Sequence, residues 1–91
     1  IKIDVEGYEL TVLKGLSQKV PYLSFECLLP DCKTELLDCL AHLYQLDNKI
    51  VFNAAFEERL AFVNFLSWHD MVTWVTKDAK PGGFEIVAKM E

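Results

Sequence analysis

No apolar run in this 91-residue sequence approaches the ~20 residues a helix needs to cross a bilayer. Basic residues are scarce and scattered: nine Lys and Arg face fourteen Asp and Glu, for a net charge of −5. With no basic stripe to meet phosphates, nucleic acid is not an expected partner, and neither is a membrane. The N-terminus shows no charged start, apolar stretch and small-residue cleavage site, so it does not read as a secretory leader. Cysteine is sparse and odd in number. Cys27, Cys32 and Cys39 point to reduced thiols in a cytoplasmic setting rather than a disulfide framework. A Cys32–Cys39 bridge is further disfavoured if both lie on one helix, where an i, i+7 pair stands two turns, ~10 Å, apart. Glycine is scarce too, and its four copies include no GxGxxG-like turn. Internal repeats, low-complexity tracts and linkers are also missing.

What is present is a large apolar fraction: 52% hydrophobic and 12% aromatic. That is enough to expect one folded domain over 1–91 rather than a disordered chain. Residues 1–5, "IKIDV", read as a short strand with Ile1, Ile3 and Val5 on one face. A helix follows from Glu6, with Glu6 and Glu9 near its positive end and Gly15 as its C-cap. Pro21 opens a second strand in which Tyr22, Ser24 and Glu26 alternate with Leu23, Phe25 and Cys27. Asp31 is the expected N-cap of a helix over 32–46, whose apolar stripe is Leu36, Leu37, Leu40, Leu43 and Tyr44. A third strand is expected over 48–56 and a further one over 59–65, turned back through Glu57 and Glu58. Ser67 is placed to cap a helix bearing Trp68, Met71, Val72 and Val75 on one face, with Asp70 completing an approximate capping box. Gly82 and Gly83 read as part of a plain turn before a closing strand over 84–90.

Strands alternating with helices of this length are the pattern of βαβ units, so the expected fold is α/β with a mainly parallel sheet. In such sheets ligands bind beyond the carboxyl ends of the strands. Asp4, Glu6 and Gly7 lie at one such end, Glu26 and Cys27 at a second, and Asn53 near a third. Two carboxylates two residues apart suit acid–base work because like charges push their pKa values apart. The plainer alternative has Glu6 complementing the helix dipole and Asp4 capping or facing solvent. Gly7 would allow a ligand or segment close to the backbone. Cys32, Cys39 and His42 lack finger-like metal-ligand spacing, so no metal site is expected. Ser67, His69 and Asp70 are too close in sequence for a triad, which assembles from distant segments. Trp68, Trp74, Phe62 and Phe65 are core candidates, or the wall of an acceptor pocket.

"KIDVEGYELTVLKG" closely resembles KIDVEGxExxVLKG, the segment that marks the FkbM family of S-adenosylmethionine-dependent methyltransferases, and "PYLSFEC" is similar to that family's next strand. The likeness is strong over 1–27 and weakens over 28–91 to a shared order of elements. Tyr8 departs from it, standing where the family often has a small residue, which bears on packing or pocket width. The resemblance implies a partial Rossmann-like (class I methyltransferase) sheet in which 1–5 is the fourth strand and the last strand is antiparallel to its neighbours. It implies transfer of methyl groups to hydroxyls of small molecules or sugars. Asp4 would then orient or deprotonate the acceptor hydroxyl, with Glu6 and Glu26 as further polar contacts.

That family's donor site lies in earlier strands, with a glycine-rich turn absent from this sequence. The chain is therefore expected to match the C-terminal half of the enzyme: acceptor-side residues, S-adenosylmethionine bound only in the intact parent, and no activity alone. The first strand, central in the parent, would leave an edge for a homodimer or for the missing N-terminal half. The alternatives are a stand-alone, non-catalytic interaction module that dimerises through that strand, and a half-enzyme completed by a partner chain.

Overall fold

The structure is a computed structural model that describes Lys2, Ile3, Gly15 and residues 20–90. Its strands are β1 (Lys2–Ile3), β2 (Tyr22–Leu29), β3 (Val51–Phe56), β4 (Arg59–Leu60), β5 (Leu66–Ser67) and β6 (Gly82–Lys89). The helices are α1 (Lys33–Leu46), between β2 and β3, and α2 (Trp68–Lys77), between β5 and β6.

β2 forms where the sequence alternates. Leu23, Phe25 and Leu29 are buried, while Tyr22, Glu26 and Leu28 face solvent. β6 alternates in the same sense, burying Phe84, Ile86 and Ala88. Register aligns these positions: Phe25 stands beside Ile86, which stands beside Ala54 of β3. The two helices lay their apolar stripes on this row. Leu36, Cys39, Leu40 and Leu43 come from α1, and Met71 and Val75 from α2, all in one buried cluster. Each large side chain removed from water here contributes ~1.5–3 kcal/mol.

The mainly parallel Rossmann-like sheet expected from the sequence is not what forms. The strand order is β1-β2-β6-β3-β4, with β5 also on β3. Only β1–β2 is parallel; β2–β6, β3–β6, β3–β4 and β3–β5 are antiparallel. The cause is the position of the last strand. β2 and β3 run in the same direction, but β6 inserts between them and runs against both. One parallel contact is thereby replaced by two antiparallel ladders. Hydrophobic alternation over 84–90 sets which side chains face inward, and it carries no information about which strands lie alongside.

Several boundaries also move. α1 starts after Cys32, not Asp31, and its cap makes no side-chain hydrogen bond. Its buried stripe takes in Cys39 and leaves Tyr44 outside, stacked on Trp68 with ring centroids 4.5 Å apart. α2 begins as expected: the Ser67 hydroxyl accepts from the Asp70 N–H at 3.2 Å. Trp74 holds an aromatic group together, edge-on to Phe62 at 5.3 Å and to Phe84 at 5.5 Å. Trp68, Trp74 and Phe62 pack against the core, and Phe65 lies beneath the Lys89 ammonium at 5.0 Å. Gly82 and Gly83 belong to β6 instead of a turn; Gly82 has φ 136°, a value that suits glycine.

The strand expected over 59–65 is broken. Phe56 pairs with Arg59 across a two-residue hairpin, β4 ends at Leu60, and the chain returns to β3 only at Leu66–Ser67. The hairpin residues Glu57 and Glu58 both have positive φ, 49° and 67°. Left-handed backbone costs a residue with a Cβ ~1–2 kcal/mol, and hairpins of this length favour Asn-Gly. Replacing Glu57→Asn together with Glu58→Gly is expected to raise stability by about 1–2 kcal/mol. A higher urea midpoint at constant slope would register the gain. A lower midpoint would show that the two carboxylates hold the turn by interactions of their own.

Candidate functional site

The carboxyl-terminal halves of β2 and β3, the start of β6 and the first turns of α1 line a half-open cavity of about 580 Å³. Its floor is apolar: Phe25, Leu36, Cys39 and Phe84 are buried members of the core. Phe84 is fixed there by Phe56, stacked at 5.1 Å, and by the edge of Trp74. Cys27 and Cys32 also line the space, so all three cysteines of the chain are among its lining residues. The Cys27 thiol points to the Phe84 carbonyl at 3.6 Å, and no disulfide joins the three cysteines.

Glu26 of β2 and Glu85 of β6 line the cavity too and are direct cross-strand partners, but they alternate with the inward Phe25 and Phe84, so their side chains leave the sheet on the face away from that floor. The rest of the rim is acidic. Glu57 and Glu58 are carried there by the left-handed hairpin, and Glu35 by the first turn of α1, where the helix dipole favours a carboxylate. Among the described lining residues there is no Lys, Arg or His. Nor are any three His, Cys, Asp or Glu side chains among the described residues arranged to hold a metal ion. A floor of this kind takes the apolar body of a small molecule. Carboxylates around it accept hydrogen bonds from hydroxyl or ammonium groups.

Of the residues singled out in the sequence, Asp4, Glu6 and Gly7 lie outside the described residues. Glu26 and Cys27 are part of the cavity. Asn53 is not among its described lining residues. Its side chain is 0% exposed and holds the broken strand in place. Nδ2 donates to the Phe62 carbonyl at 2.9 Å, while Oδ1 accepts from the N–H groups of Phe62 at 3.1 Å and Ala54 at 2.8 Å. All of these bonds go to backbone, which suits Asn53 to clamping 61–65 against β3 and not to gripping an acceptor.

Ser67, His69 and Asp70 form no triad: the serine hydroxyl is taken by the helix cap and His69 is exposed. Sequence reasoning missed Glu35, Glu57, Glu58 and Glu85. One local signal was available for two of them, since Glu-Glu stands where a tight hairpin prefers Asn-Gly.

In comparisons with known proteins, the chain matches no family model and no curated protein. Among the described residues, no helix is long and apolar enough to cross a membrane.

The clamp generates a stability prediction. Asn53→Ala strands the part-buried N–H and carbonyl of Phe62 and the buried N–H of Ala54, and leaving such groups unsatisfied costs ~1–3 kcal/mol each. A loss of stability in that range is expected in urea unfolding, and a loss below about 0.5 kcal/mol would show that the 61–65 segment does not depend on Asn53.

Proposed function

We propose that this chain is the acceptor-side half of an S-adenosylmethionine-dependent O-methyltransferase resembling the FkbM family, inactive without a donor-binding half. One observation carries the reading: the residue-level likeness of "KIDVEGYELTVLKG" and "PYLSFEC" to that family. Support comes from the concave, acid-rimmed site at the carboxyl ends of β2 and β3, which includes Glu26 from the same stretch. In this reading Asp4 orients or deprotonates the acceptor hydroxyl, Glu6 and Glu26 are further polar contacts, and Gly7 allows close approach. The acceptor is a hydroxyl of a small molecule or sugar. Thiols at Cys27, Cys32 and Cys39, without a disulfide, fit a reducing, cytoplasmic setting.

The donor is a poor fit to the described residues. Its usual cradle is a glycine-rich turn opening a helix. Here Gly82 and Gly83 open a strand, and α1 and α2 start at Lys33 and Trp68. No step through the donor is therefore derived from this chain. Calorimetric titration with S-adenosylmethionine is expected to show no saturable binding by the chain alone. Saturable binding would overturn the assignment as an acceptor-side half, whereas binding gained only on adding a donor-bearing partner would support it.

A second reading, a non-catalytic module that pairs through its first strand, is favoured by a separate observation. β1 is hydrogen-bonded to β2 on one side, and among the described residues no strand lies on its other side. Such an edge is a template for another chain, a second copy or the donor-bearing half. Light scattering is expected to give a dimer mass that Ile3→Pro, which removes a ladder donor, reduces to that of a monomer. A wild-type monomer at millimolar concentration would exclude pairing between copies.

A further inference from the structure

We propose that the sheet face turned away from the two helices is the contact surface between two copies of this chain, related by a twofold axis lying across the strands. This surface is distinct from the cavity floor and from the edge of β1, and its pairing does not depend on the methyl-transfer reading.

Both helices bury their apolar stripes on one side of the sheet, in a single core cluster. On the other side the register sets the outward residues in rows. Lys89 of β6 stands between Tyr22 of β2 and Val51 of β3, Val87 stands beside Ser24, and Glu85 beside Glu26. A sheet face left to water is normally polar. This one is not: Tyr22 is 56% exposed and Leu28 46%, both outward on β2, with Val87 and Val51 half-buried on the strands alongside.

Charge identifies the occupant. The Lys89 ammonium lies against the rings of Tyr22 at 5.7 Å and Phe65 at 5.0 Å, and meets no carboxylate among the described residues. Glu26 is exposed, and its carboxylate forms no ion pair among the described residues. Glu85 beside it keeps the interaction it already has within the chain. The Lys89 and Glu26 rows are four residues apart along the strands, ~14 Å, too far to pair within one copy. They lie equally far from the small Ser24–Val87 row between them. A twofold axis through that row carries Lys89 of each copy over the Glu26 row of the other, and Val87 onto its counterpart. Both charge contacts then form together, as an isologous interface requires. A partner of one sign satisfies only one of them. Stacked sheets keep their strands within ~30° of alignment, which this axis permits. From Tyr22 to Leu28 the face is ~20 Å long, and four strands make it ~19 Å wide, so each copy covers about 400 Å². Contacts of that size are weak and transient, and half-association is expected at about 0.1–1 mM chain.

Sedimentation equilibrium of the full chain is expected to show a mean mass that rises toward twofold between about 0.01 and 1 mM, and rises less in added salt. Lys89→Glu alone and Glu26→Lys alone each oppose like charges across both contacts. Each is expected to raise the dissociation constant about tenfold or more. Mixed one to one, the two variants are expected to regain wild-type association, because both contacts across the axis then join opposite charges. Pairing through the edge of β1 gives all of these samples the same mass and cannot produce that recovery. Where circular dichroism shows either variant unfolded, Ser24→Lys takes its place, bringing two like charges together at the axis, and is expected to abolish the rise. A constant wild-type mass over this range, wild-type association by a folded single variant, or a mixture no heavier than its components would overturn the proposal. S-adenosylmethionine takes no part in these measurements, so their failure leaves the methyl-transfer reading standing.

Discussion

The insertion of β6 between β2 and β3 is the constraint on which the remaining structure depends. All eight of its residues pair with β2, and five of them, Glu85–Lys89, pair also with β3. Its inward side chains Phe84, Ile86 and Ala88 sit beneath both helices at the centre of the single core cluster. Neither neighbour is close to β6 in sequence. The two longest ladders therefore close loops whose entropy must be overcome before the pairing stabilises anything. Until β6 arrives, β2 and β3 share no hydrogen bonds and the floor of the core is open.

The same insertion shapes the cavity. Where all strands run one way, their carboxyl ends gather at one border of the sheet and their amino ends at the other. Here an antiparallel strand lies between two parallel ones, so the amino end of β6 meets the carboxyl ends of β2 and β3. Gly83 and Glu85 thereby join Glu26, Cys27 and Ala55 around one space. Gly83 is not required there by crowding, since an added Cβ would lie 3.9 Å from the Cys27 carbonyl, an ordinary contact. The hairpin after β3 then turns Glu57 and Glu58 toward that space. Several carboxylates can crowd this rim because most remain in water, where ~80-fold dielectric screening keeps their repulsion small.

Much of the local structure was legible. The alternation of Leu23, Phe25 and Cys27 with Tyr22, Ser24 and Glu26 was correctly read as a strand with one buried face, because a period of two has one structural meaning. The Ser67 cap was legible because a hydroxyl three residues before Asp70 can satisfy its N–H without help from the rest of the fold. The break after Leu60 was not legible. "RLAFVNF" has the composition of a continuous strand, and what ends it is the Asn53 side chain, which bonds the Phe62 backbone. Likewise Tyr44 fits the apolar stripe of α1 in sequence, yet it lies exposed at the edge of the core, stacked on Trp68 from another helix.

The sequence by itself determined which faces are apolar and where α2 begins, because these depend on neighbours a few residues away; Glu26, expected at a strand's carboxyl end, stands mid-strand because β2 runs on to Leu29. The tertiary structure alone decided the sheet order, the predominance of antiparallel pairs and the approach of Glu35, Glu57 and Glu58 to one apolar floor. Strand partnership is a contest between segments far apart in the chain. It is settled by how two sets of inward side chains fit, a quantity that no local period records.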